Sequence, residues 1–527
     1  MAAAEAFTTF CRWQTDPYGL KGIGDLAFAM GINRLVFHSW AHHPWPDRAP
    51  GMTMGPFGVN FSRMNTWWGR PAKAYVDYLR RCSQLLQQGR FVADILYFYG
   101  EGAPNTLPSK NLIRPALPDG YAYDGCDADT LRTRVEVKDG RLALPDGMSY
   151  RVLVLKDDPR LTPETLGKIK ALVQAGVTVI GPKPQESPSL MDYPRCDERV
   201  RALADDVWNR VTWNRPVGEV LKSMGVEPDV EIIRRDGGDG PVEWTHRRTD
   251  GEEWYFISNQ QNIIDHGSSL EICERRYDSF AINDLAKDTI RMEVSLRVVG
   301  KQPELWDPVT GTRRDLPEFR TENGRTIVPL TLPPSGSCFV VFRRTVPAKT
   351  NTEASRNFPE LKPIVPIDGP WTVAFDPKWG GPARVVFNTL EDWTTRPEPG
   401  IKYYSGRATY KKNFDATEAF QTKNQRVFLD LGRLRSLAEV RLNGRDLGVL
   451  WCPPWRVEVT GLLKPRGNEL KIDIVNLWAN RIIGDLNLPE PQRLTWTSLQ
   501  ETIGALKPDN RLVPSGLYGP VTLAVEE

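Results

Sequence analysis

The sequence lacks an excess of one charge sign and any long apolar run. Its 527 residues carry 68 Lys and Arg against 66 Asp and Glu, a net charge of +2. A dedicated nucleic-acid-binding protein needs a basic surface, so this balance argues against that class. No apolar stretch reaches the ~18 residues that a membrane span needs, so we expect no membrane-spanning helix in this sequence. With 40% hydrophobic and 25% charged residues, the composition is typical of a globular protein.

Cysteine is sparse and scattered. No Cys-x-x-Cys pair occurs, so the sequence predicts free thiols rather than a zinc site or a disulfide framework. The cysteines number seven: Cys11, Cys82, Cys126, Cys196, Cys273, Cys338 and Cys452. The first five residues lack the basic region and apolar core of a secretory signal, so no signal peptide is predicted.

Helical and strand periodicities predict an α/β plus all-β chain. Residues 151–180 read strand, capped helix, strand, which is a β–α–β unit of a parallel sheet. From about 225 onward the helical period largely disappears, and short strands with tight turns predict β-sandwiches, the last of jelly-roll type. The expected units are part of a β/α barrel (1–90), an α/β domain (91–224), a β-sandwich (225–345), a linker (346–369) and a C-terminal sandwich (370–527).

The sequence pattern of residues 1–90 predicts a helix, a strand, a long loop and a second helix. Asp16 can cap the first helix, Pro17 suits its first position and Gly31 ends it. Residues 33–38 then read as a buried strand. A complete β/α barrel needs ~250 residues, so about 90 can supply only part of one.

Three of the five histidines fall within six residues, directly after that strand. In β/α barrels the carboxyl ends of the strands carry the active site. Imidazoles can donate to sugar hydroxyls and indoles can stack on sugar rings, so we interpret this cluster as a sugar site. A metal site and a packed structural loop remain alternatives. The candidates are His38, Trp40, His42, His43 and Trp45.

Glu5 is the candidate catalytic residue. It lies among small residues at a predicted strand end, which suits a carboxylate facing a barrel mouth. Glycoside hydrolysis needs two carboxylates, and residues 1–90 offer no second one of similar quality, because Asp16 caps a helix and Asp47 lies in a loop.

Two other motifs favour structural roles. The loop 100–105 has glycines after a strand, but it lacks the G-x-G-x-x-G pattern of a nucleotide site. This disfavours the reading of the α/β domain as a nucleotide-binding domain. In the C-terminal unit, Trp451 and Trp478 either bind sugar or fill the core, and we expect the core.

The chain resembles glycoside hydrolase family 106, the α-L-rhamnosidases, over essentially its whole length. The segments 442–455 and 475–485 are shared more widely with the galactose-binding-like domains of family 2. The more specific motifs are AEAFT at 4–8, GINRLVFH at 31–38, PGMTMGP at 50–56, NTWW at 65–68, YGEGAPN at 99–105, LPDGMSYR at 144–151 and PELWDP at 303–308.

This resemblance implies an inverting enzyme that removes terminal α-L-rhamnose from polysaccharides or glycosides with the help of calcium. Glu5 matches a barrel-strand glutamate and would be the general base, while His38, Trp40 and His42 would line the sugar subsite. The family's barrel begins several hundred residues earlier. The general acid and the calcium ligands are therefore expected outside this chain, and we assign no metal ligand.

Two functions follow as expectations. The first is the C-terminal portion of an α-L-rhamnosidase, whose incomplete barrel lacks the second carboxylate that an inverting site needs, so that turnover by the chain alone has to be tested. The second is a non-catalytic carbohydrate-binding or scaffold fragment. The parent enzyme is expected to be periplasmic or secreted, since its polysaccharide substrates lie outside the cytoplasm.

Overall fold

The N-terminal elements form a β–α–β unit followed by a long loop and a second helix. β1 and β2 are parallel neighbours in a two-stranded sheet. The computed structural model describes residues 1–8, 12–55, 61–235, 240–261, 288–346, 356–416 and 425–526. The elements of this unit are β1 (Ala3–Ala6), α1 (Pro17–Ala29), β2 (Arg34–Phe37), β3 (Pro50–Gly51) and α2 (Arg70–Leu86).

The first helix begins and ends as its sequence predicts. The side chain of Asp16 accepts a hydrogen bond from the amide of Gly19 at 2.8 Å, and Pro17 is the first helical residue. Gly31, with φ of +98°, follows the helix and allows the chain to turn into β2.

The prediction of a buried strand over 33–38 is wrong in one respect. The strand forms over Arg34–Phe37, but Val36 is 51% exposed. Only one face of the two-stranded sheet is covered, since Leu35 and Phe37 pack into a core with helix residues while Val36 does not.

A parallel sheet covered on both faces follows. Its strand order is β11-β10-β5-β6, and all three pairings are parallel. β5 and β10 are buried throughout, as expected for strands with a core on each side. The elements are β4 (Arg90–Phe91), β5 (Ile95–Phe98), β6 (Tyr123–Cys126), α3 (Ala128–Thr133), β7 (Glu136–Lys138), β8 (Arg141–Ala143), β9 (Ser149–Tyr150), β10 (Val152–Leu155), α4 (Pro163–Gln174), β11 (Thr178–Ile180), α5 (Arg195–Val207) and α6 (Val217–Ser223).

The third group consists of two antiparallel sheets. One has the order β12-β15-β19-β18, the other β17-β16-β20-β14-β13-β4, so Arg90–Phe91 extends this second sheet. Alternate side chains of both sheets share one core. The strands are β12 (Val230–Arg234), β13 (Val242–Arg248), β14 (Glu253–Asn259), β15 (Ile290–Leu296), β16 (Lys301–Trp306), β17 (Arg313–Asp315), β18 (Arg320–Glu322), β19 (Arg325–Leu332) and β20 (Ser337–Thr345).

The C-terminal group also packs two antiparallel sheets around a core. The orders are β21-β33-β25-β29 and β23-β22-β24-β30-β27-β28. The elements are β21 (Leu361–Pro366), β22 (Trp371–Ala374), β23 (Val385–Phe387), α7 (Pro399–Lys402), β24 (Arg407–Phe414), β25 (Val427–Asp430), β26 (Arg433–Arg435), β27 (Leu437–Leu442), β28 (Arg445–Leu450), β29 (Arg456–Glu458), β30 (Asn468–Val475), α8 (Ala479–Leu486), β31 (Trp496–Thr497), β32 (Gly516–Gly519) and β33 (Thr522–Glu526).

The interpretation of 346–369 as a linker does not hold at its C-terminal end. Leu361–Pro366 forms β21, which pairs antiparallel with β33. Its prolines are tolerated because β21 is an edge strand, where amide donors can go unused. The first part of the predicted linker, 347–355, lies outside the described residues, as do Cys11 and Cys273. The five described cysteines are free and buried.

One core joins the N-terminal unit to both sandwiches. Phe28 of α1 packs edge-on against Phe256 of β14, and Tyr75 and Tyr78 of α2 contact Trp451 after β28. The same cluster includes Phe7 and Trp67. The two-stranded sheet is therefore held in place by the helices behind it, which leaves its other face open.

Candidate active site

The open face of the two-stranded sheet carries Glu5. The register pairs Glu5 with Val36 and Ala6 with Phe37, and side chains of paired parallel residues lie on the same face. Ala6 and Phe37 pack against the helices. Glu5 therefore lies with Val36 on the exposed face, and its Oε1 accepts a hydrogen bond from Thr8 Oγ1 at 3.0 Å.

His38 continues β2 on the same face. Its amide donates to the carbonyl of Ala6 at 2.9 Å, which extends the ladder by one residue. Two residues after Val36, it shares that residue's side of the pleat, and strand geometry places its Cα about 8 Å from that of Glu5. Its Nδ1 is buried and has no hydrogen-bond partner in the described part of the chain. An unsatisfied buried nitrogen costs roughly 1–3 kcal/mol, which a ligand hydroxyl would recover.

His42 and His43 lie further along the loop, in different environments. His42 is exposed, whereas His43 is half-buried and its Nε2 has no partner among the described residues. Burial, with Arg63 and His42 nearby, lowers the pKa of His43, so its imidazole is neutral at pH 7. Gly51 lies against this ring: a Cβ there would be 2.5 Å from His43 Nδ1. The loop is thus built closely around His43.

Trp40 ends a chain of aromatic contacts that starts in the core. Phe37 packs on Phe61 at 4.5 Å, Phe61 on Trp68 at 5.2 Å, and Trp68 edge-on against Trp40 at 5.6 Å. Trp40 itself is 59% exposed. A large indole supported from behind and open to solvent suits stacking on a sugar ring.

Trp45 belongs to a second aromatic group, which the C-terminal domain completes. Its ring lies edge-on to Trp496 at 5.8 Å, and the Arg48 guanidinium lies 5.0 Å from the Trp45 ring and 5.6 Å from that of Trp496. Among the described residues, no ring contact joins this group to Trp40. The structure thus brings Glu5 and His38 to one face and places two tryptophan pairs along the loop.

The loop and the C-terminal domain are joined by backbone pairing. Pro50–Gly51 runs parallel to Trp496–Thr497. The amide of Thr53 donates to Ser498 Oγ at 2.9 Å, and Trp13 Nε1 donates to Thr497 Oγ1 at 3.1 Å. Sequence reasoning did not assign Trp496, Arg48 or Trp68 to the site. For Trp496 no local pattern could do so, because it lies more than 400 residues from the loop that it contacts.

The other motifs have structural roles. Glu101 accepts hydrogen bonds from the amide and hydroxyl of Thr162, at 2.8 and 2.9 Å, and from Thr165 Oγ1 at 2.7 Å, and so holds Thr162, the N-cap residue of α4, in place. Trp451 and Trp478 are 1% and 5% exposed, which confirms that they are buried. Trp451 packs against α2, and Trp478 packs against the N-terminal loop. Neither belongs to the core inside the C-terminal sandwich.

The described residues do not fit a calcium site. No group of three or more His, Cys, Asp or Glu side chains in the described part of the chain could hold a metal ion. Asp16 caps α1, and Asp25 is fully buried against Lys21 at 2.7 Å, so neither carboxylate is available to a ligand. We therefore derive no step through calcium. The helices of the described chain also include none long and apolar enough to span a membrane.

A β–α–β unit with an acidic residue at a strand end, a parallel sheet and two β-sandwiches together indicate a multidomain carbohydrate-active enzyme. The α-L-rhamnosidase model of glycoside hydrolase family 106 matches residues 1–275, more than half of the chain. The galactose-binding-like domain of glycosyl hydrolase family 2 matches 398–492. The chain belongs to glycoside hydrolase family 106.

Two proteins of known name are similar to this chain. A rhamnosidase from Novosphingobium sp. PP1Y is 33% identical, with a TM-score of 0.85 over 99% of this chain and 47% of its own. A Formosa agariphila protein named "Putative beta-glucuronidase" is 26% identical over 93% of this chain and 58% of its own length. The chain thus spans about half the length of these relatives.

Proposed function

We propose that this chain forms the C-terminal part of an α-L-rhamnosidase that removes terminal α-L-rhamnose from polysaccharides or glycosides. The observation that carries the proposal is the position of Glu5, on the open face of a parallel strand pair beside an imidazole with an unpaired nitrogen. The two-stranded sheet is, in this proposal, part of a β/α barrel, and its open face looks into the barrel. The C-terminal sandwich is of the jelly-roll, galactose-binding-like type.

In this mechanism Glu5 is the general base of an inverting reaction. It removes a proton from a water molecule, whose oxygen attacks C1 of rhamnose on the face opposite the leaving group. The aglycone leaves with a proton from a general acid, which the described residues do not supply on this face. His38 Nδ1 would accept or donate a hydrogen bond to a sugar hydroxyl, and Trp40 and Trp45 would stack on the sugar rings, with His42 and His43 along the same loop. The calcium requirement implied by the family stays a prediction.

Substrates with activated leaving groups test Glu5 without needing the general acid. A 2,4-dinitrophenyl leaving group departs as an anion, so this chain should hydrolyse 2,4-dinitrophenyl α-L-rhamnoside faster than the p-nitrophenyl compound. Glu5→Gln should lower the rate by about 100-fold or more, while Glu360→Gln, an exposed glutamate in the C-terminal domain, should leave it unchanged. Each assay is run with and without calcium.

Azide tests whether Glu5 acts on the face of the sugar opposite the leaving group. A small anion can occupy the space of the missing carboxylate in Glu5→Ala and attack C1 directly, which gives a rhamnosyl azide of β configuration. Proton NMR of the product distinguishes it from the α-azide. An α-azide, or hydrolysis that survives Glu5→Gln, would contradict the assignment of Glu5 as the base.

The rhamnose specificity is tested with a second sugar. The Formosa relative's name makes p-nitrophenyl β-D-glucuronide the appropriate comparison. Cleavage of the glucuronide but not of the rhamnosides would refute the rhamnosidase proposal. Binding of rhamnosides without hydrolysis of either aryl compound would favour the non-catalytic carbohydrate-binding alternative.

A further inference from the structure

A cavity separate from the candidate active site lies between the start of α1 and the C-terminal domain. Its volume is about 470 Å³, within the range of small-molecule sites. Residues at the start of α1, in β26 and β32, and in the loops 390–392, 453–455 and 511–514 line it. Neither Glu5 nor any of the candidate histidines and tryptophans of the N-terminal loop belongs to this lining.

The strand pair β26 and β32 directs Tyr518 toward this cavity. Leu434 and Leu517 lie opposite each other in the pair, and both pack in the core of the C-terminal sandwich. The register then shifts, so that Tyr518 is the extra residue of a β-bulge. A bulge re-aims the side chain of its extra residue. Tyr518 accordingly lines the cavity and does not belong to the sandwich core.

Two hydroxyl groups of the cavity wall are buried without a hydrogen-bond partner. Ser436, directly after β26, is 2% exposed, and its Oγ has no partner among the described residues. The hydroxyl of Tyr518 is likewise buried and unpartnered within the described ranges of the chain. Burial and nearby Asp392 raise the pKa of Tyr518 well above its usual value, so this hydroxyl keeps its proton. An unpaired buried hydroxyl costs free energy, which a ligand that donates and accepts hydrogen bonds would recover.

The charged groups of the wall balance each other. Three guanidinium groups face three carboxylates: Arg433, Arg435 and Arg511 against Asp16, Glu391 and Asp392. Each carboxylate already has a partner. Asp16 caps α1, Glu391 pairs with Arg396 at 2.8 Å, and Asp392 accepts from two backbone amides at 2.9 and 3.0 Å. The wall therefore has no excess charge of either sign that would select an ionic ligand.

The rest of the wall is apolar and partly aromatic. Tyr18 lies edge-on to Trp455 at 6.2 Å, and the two side chains are 6% and 7% exposed. The hydroxyl of Tyr18 donates to the carbonyl of Pro334 at 3.2 Å, so its ring is the part that faces the cavity. Leu390 and Pro453 extend this apolar side. A pyranose ring matches such a wall, because it has apolar C–H faces and a rim of hydroxyl groups.

We propose that this cavity binds one neutral pyranose unit of a glycan, with Ser436 and Tyr518 hydrogen-bonded to ring hydroxyls and the sugar's apolar face against Tyr18 and Trp455. A purely apolar ligand would leave both buried hydroxyls unpaired, whereas a sugar satisfies both sides of the wall. The site is separate from the hydrolytic centre and does not rest on the proposed function, since the sugar bound here is not cleaved.

Saturation-transfer-difference NMR with the whole chain tests the proposal, because it detects weakly bound ligands. The probes are the methyl glycosides of D-glucose, D-galactose, D-mannose and D-xylose. Rhamnosides are left out, because the proposed active site would bind them as well. We expect transfer to at least one of these glycosides, with a Kd of about 10 mM or below.

A matched pair of probes tests the neutrality of the site. Methyl β-D-galactoside and methyl β-D-galacturonide differ only by a carboxylate in place of a hydroxymethyl group. Because the charges of the wall balance, the uronide should bind no more tightly than the galactoside. The affinity of the neutral glycosides should also stay constant as the salt concentration rises, since screening acts on charged ligands.

Variants that remove one hydroxyl group locate the binding. Tyr518→Phe and Ser436→Ala should each weaken the bound glycoside about 2- to 12-fold, which is the effect of losing one neutral hydrogen bond. Neither should lower the melting temperature, because the lost hydroxyl has no partner in the described part of the protein. Tyr193→Phe, at a tyrosine of the α/β domain that is 65% exposed, is the matched control and should leave the affinity unchanged. Glu5→Gln should also leave it unchanged, which separates this cavity from the active site.

Three results would overturn the proposal. The first is the absence of saturation transfer to all four glycosides. The second is an unchanged affinity in both Tyr518→Phe and Ser436→Ala. The third is tighter, salt-sensitive binding of the uronide, which would show an ionic site. A chain that binds these glycosides but hydrolyses no rhamnoside would refute the proposed function and leave this inference standing.

Discussion

The buried Lys21–Asp25 pair makes the structure of the N-terminal unit sensitive to one substitution. Lys21 is 1% exposed, and its Nζ donates to Asp25 Oδ2 at 2.7 Å, to the Ser335 carbonyl at 2.8 Å and to Ser337 Oγ at 2.7 Å. Asp25 also accepts from Tyr78 OH. The pair therefore ties α1 and α2 to the middle sandwich.

Lys21→Met would leave the Asp25 carboxylate buried without its cation. Breaking a buried ion pair in this way costs ~3–5 kcal/mol, most of which is the penalty of the uncompensated charge. Lys21→Met/Asp25→Asn should therefore be more stable than Lys21→Met alone. The exposed pair Lys73–Asp77 on α2, at 2.6 Å, is the control, and Lys73→Met should cost about 0.5 kcal/mol or less.

Hydrogen exchange measures these effects locally, which suits a chain of several domains. Amides of α1 and α2 in Lys21→Met should exchange roughly 100- to 3,000-fold faster than in the wild type, the equivalent of 3–5 kcal/mol. Two results would refute the reasoning from an uncompensated charge. They are exchange in Lys21→Met that equals that of the wild type, and exchange in the double variant that is no slower than in Lys21→Met.

Further predictions concern pH, the loop and a cap. Burial lowers the pKa of His246, but Asp229 at 2.8 Å and Glu253 at 3.3 Å outweigh it and raise the pKa above 6.5. The stabilisation of the folded chain by protonated His246 should be complete below about pH 6.5 and decrease as pH rises through the folded-state pKa. The difference in melting temperature between wild type and His246→Gln should therefore shrink over that range. A constant difference would contradict the raised pKa of His246. Trp496→Ala should raise the KM for aryl rhamnosides several-fold, by about 1 kcal/mol. Trp379→Ala, whose ring packs against Trp478, should raise it less, and equal effects would exclude a specific role for Trp496. Glu101→Ala removes the acceptor of the N-cap residue Thr162 and should destabilise α4 by ~1–2 kcal/mol, measured by hydrogen exchange, without changing kcat. Lost activity with unchanged exchange would instead indicate a functional role for Glu101.

Local sequence signals predicted the elements whose boundaries depend on nearby residues. Asp16 and Pro17 defined the start of α1, and Thr162 and Pro163 that of α4. Asp250 and Gly251, two residues typical of tight turns, lie between β13 and β14, which pair antiparallel with His246 opposite Tyr255. In each case the cap, the proline or the turn residue acts within one turn of the chain, so its effect can be read from neighbouring residues.

Long-range pairing could not be predicted in the same way. Val36 belongs to an apolar run that reads as buried, yet its exposure depends on how many strands lie beside it. Leu361–Pro366 reads as a linker because of its prolines, yet it pairs with the last strand of the chain. Trp496 reaches the candidate site only because the C-terminal domain folds back on the first loop.

That fold-back also sets when the site can form during synthesis. The hydrogen bond between Thr53 and Ser498 joins partners 445 residues apart. At a ribosomal rate of ~5–20 residues per second, the loop would wait roughly 20–90 s before its partner is made. A nascent chain would therefore complete the aromatic group of Trp45 and Trp496 only after the segment around residue 498 has been made, and a stop codon before that segment would remove the group while leaving Glu5 encoded.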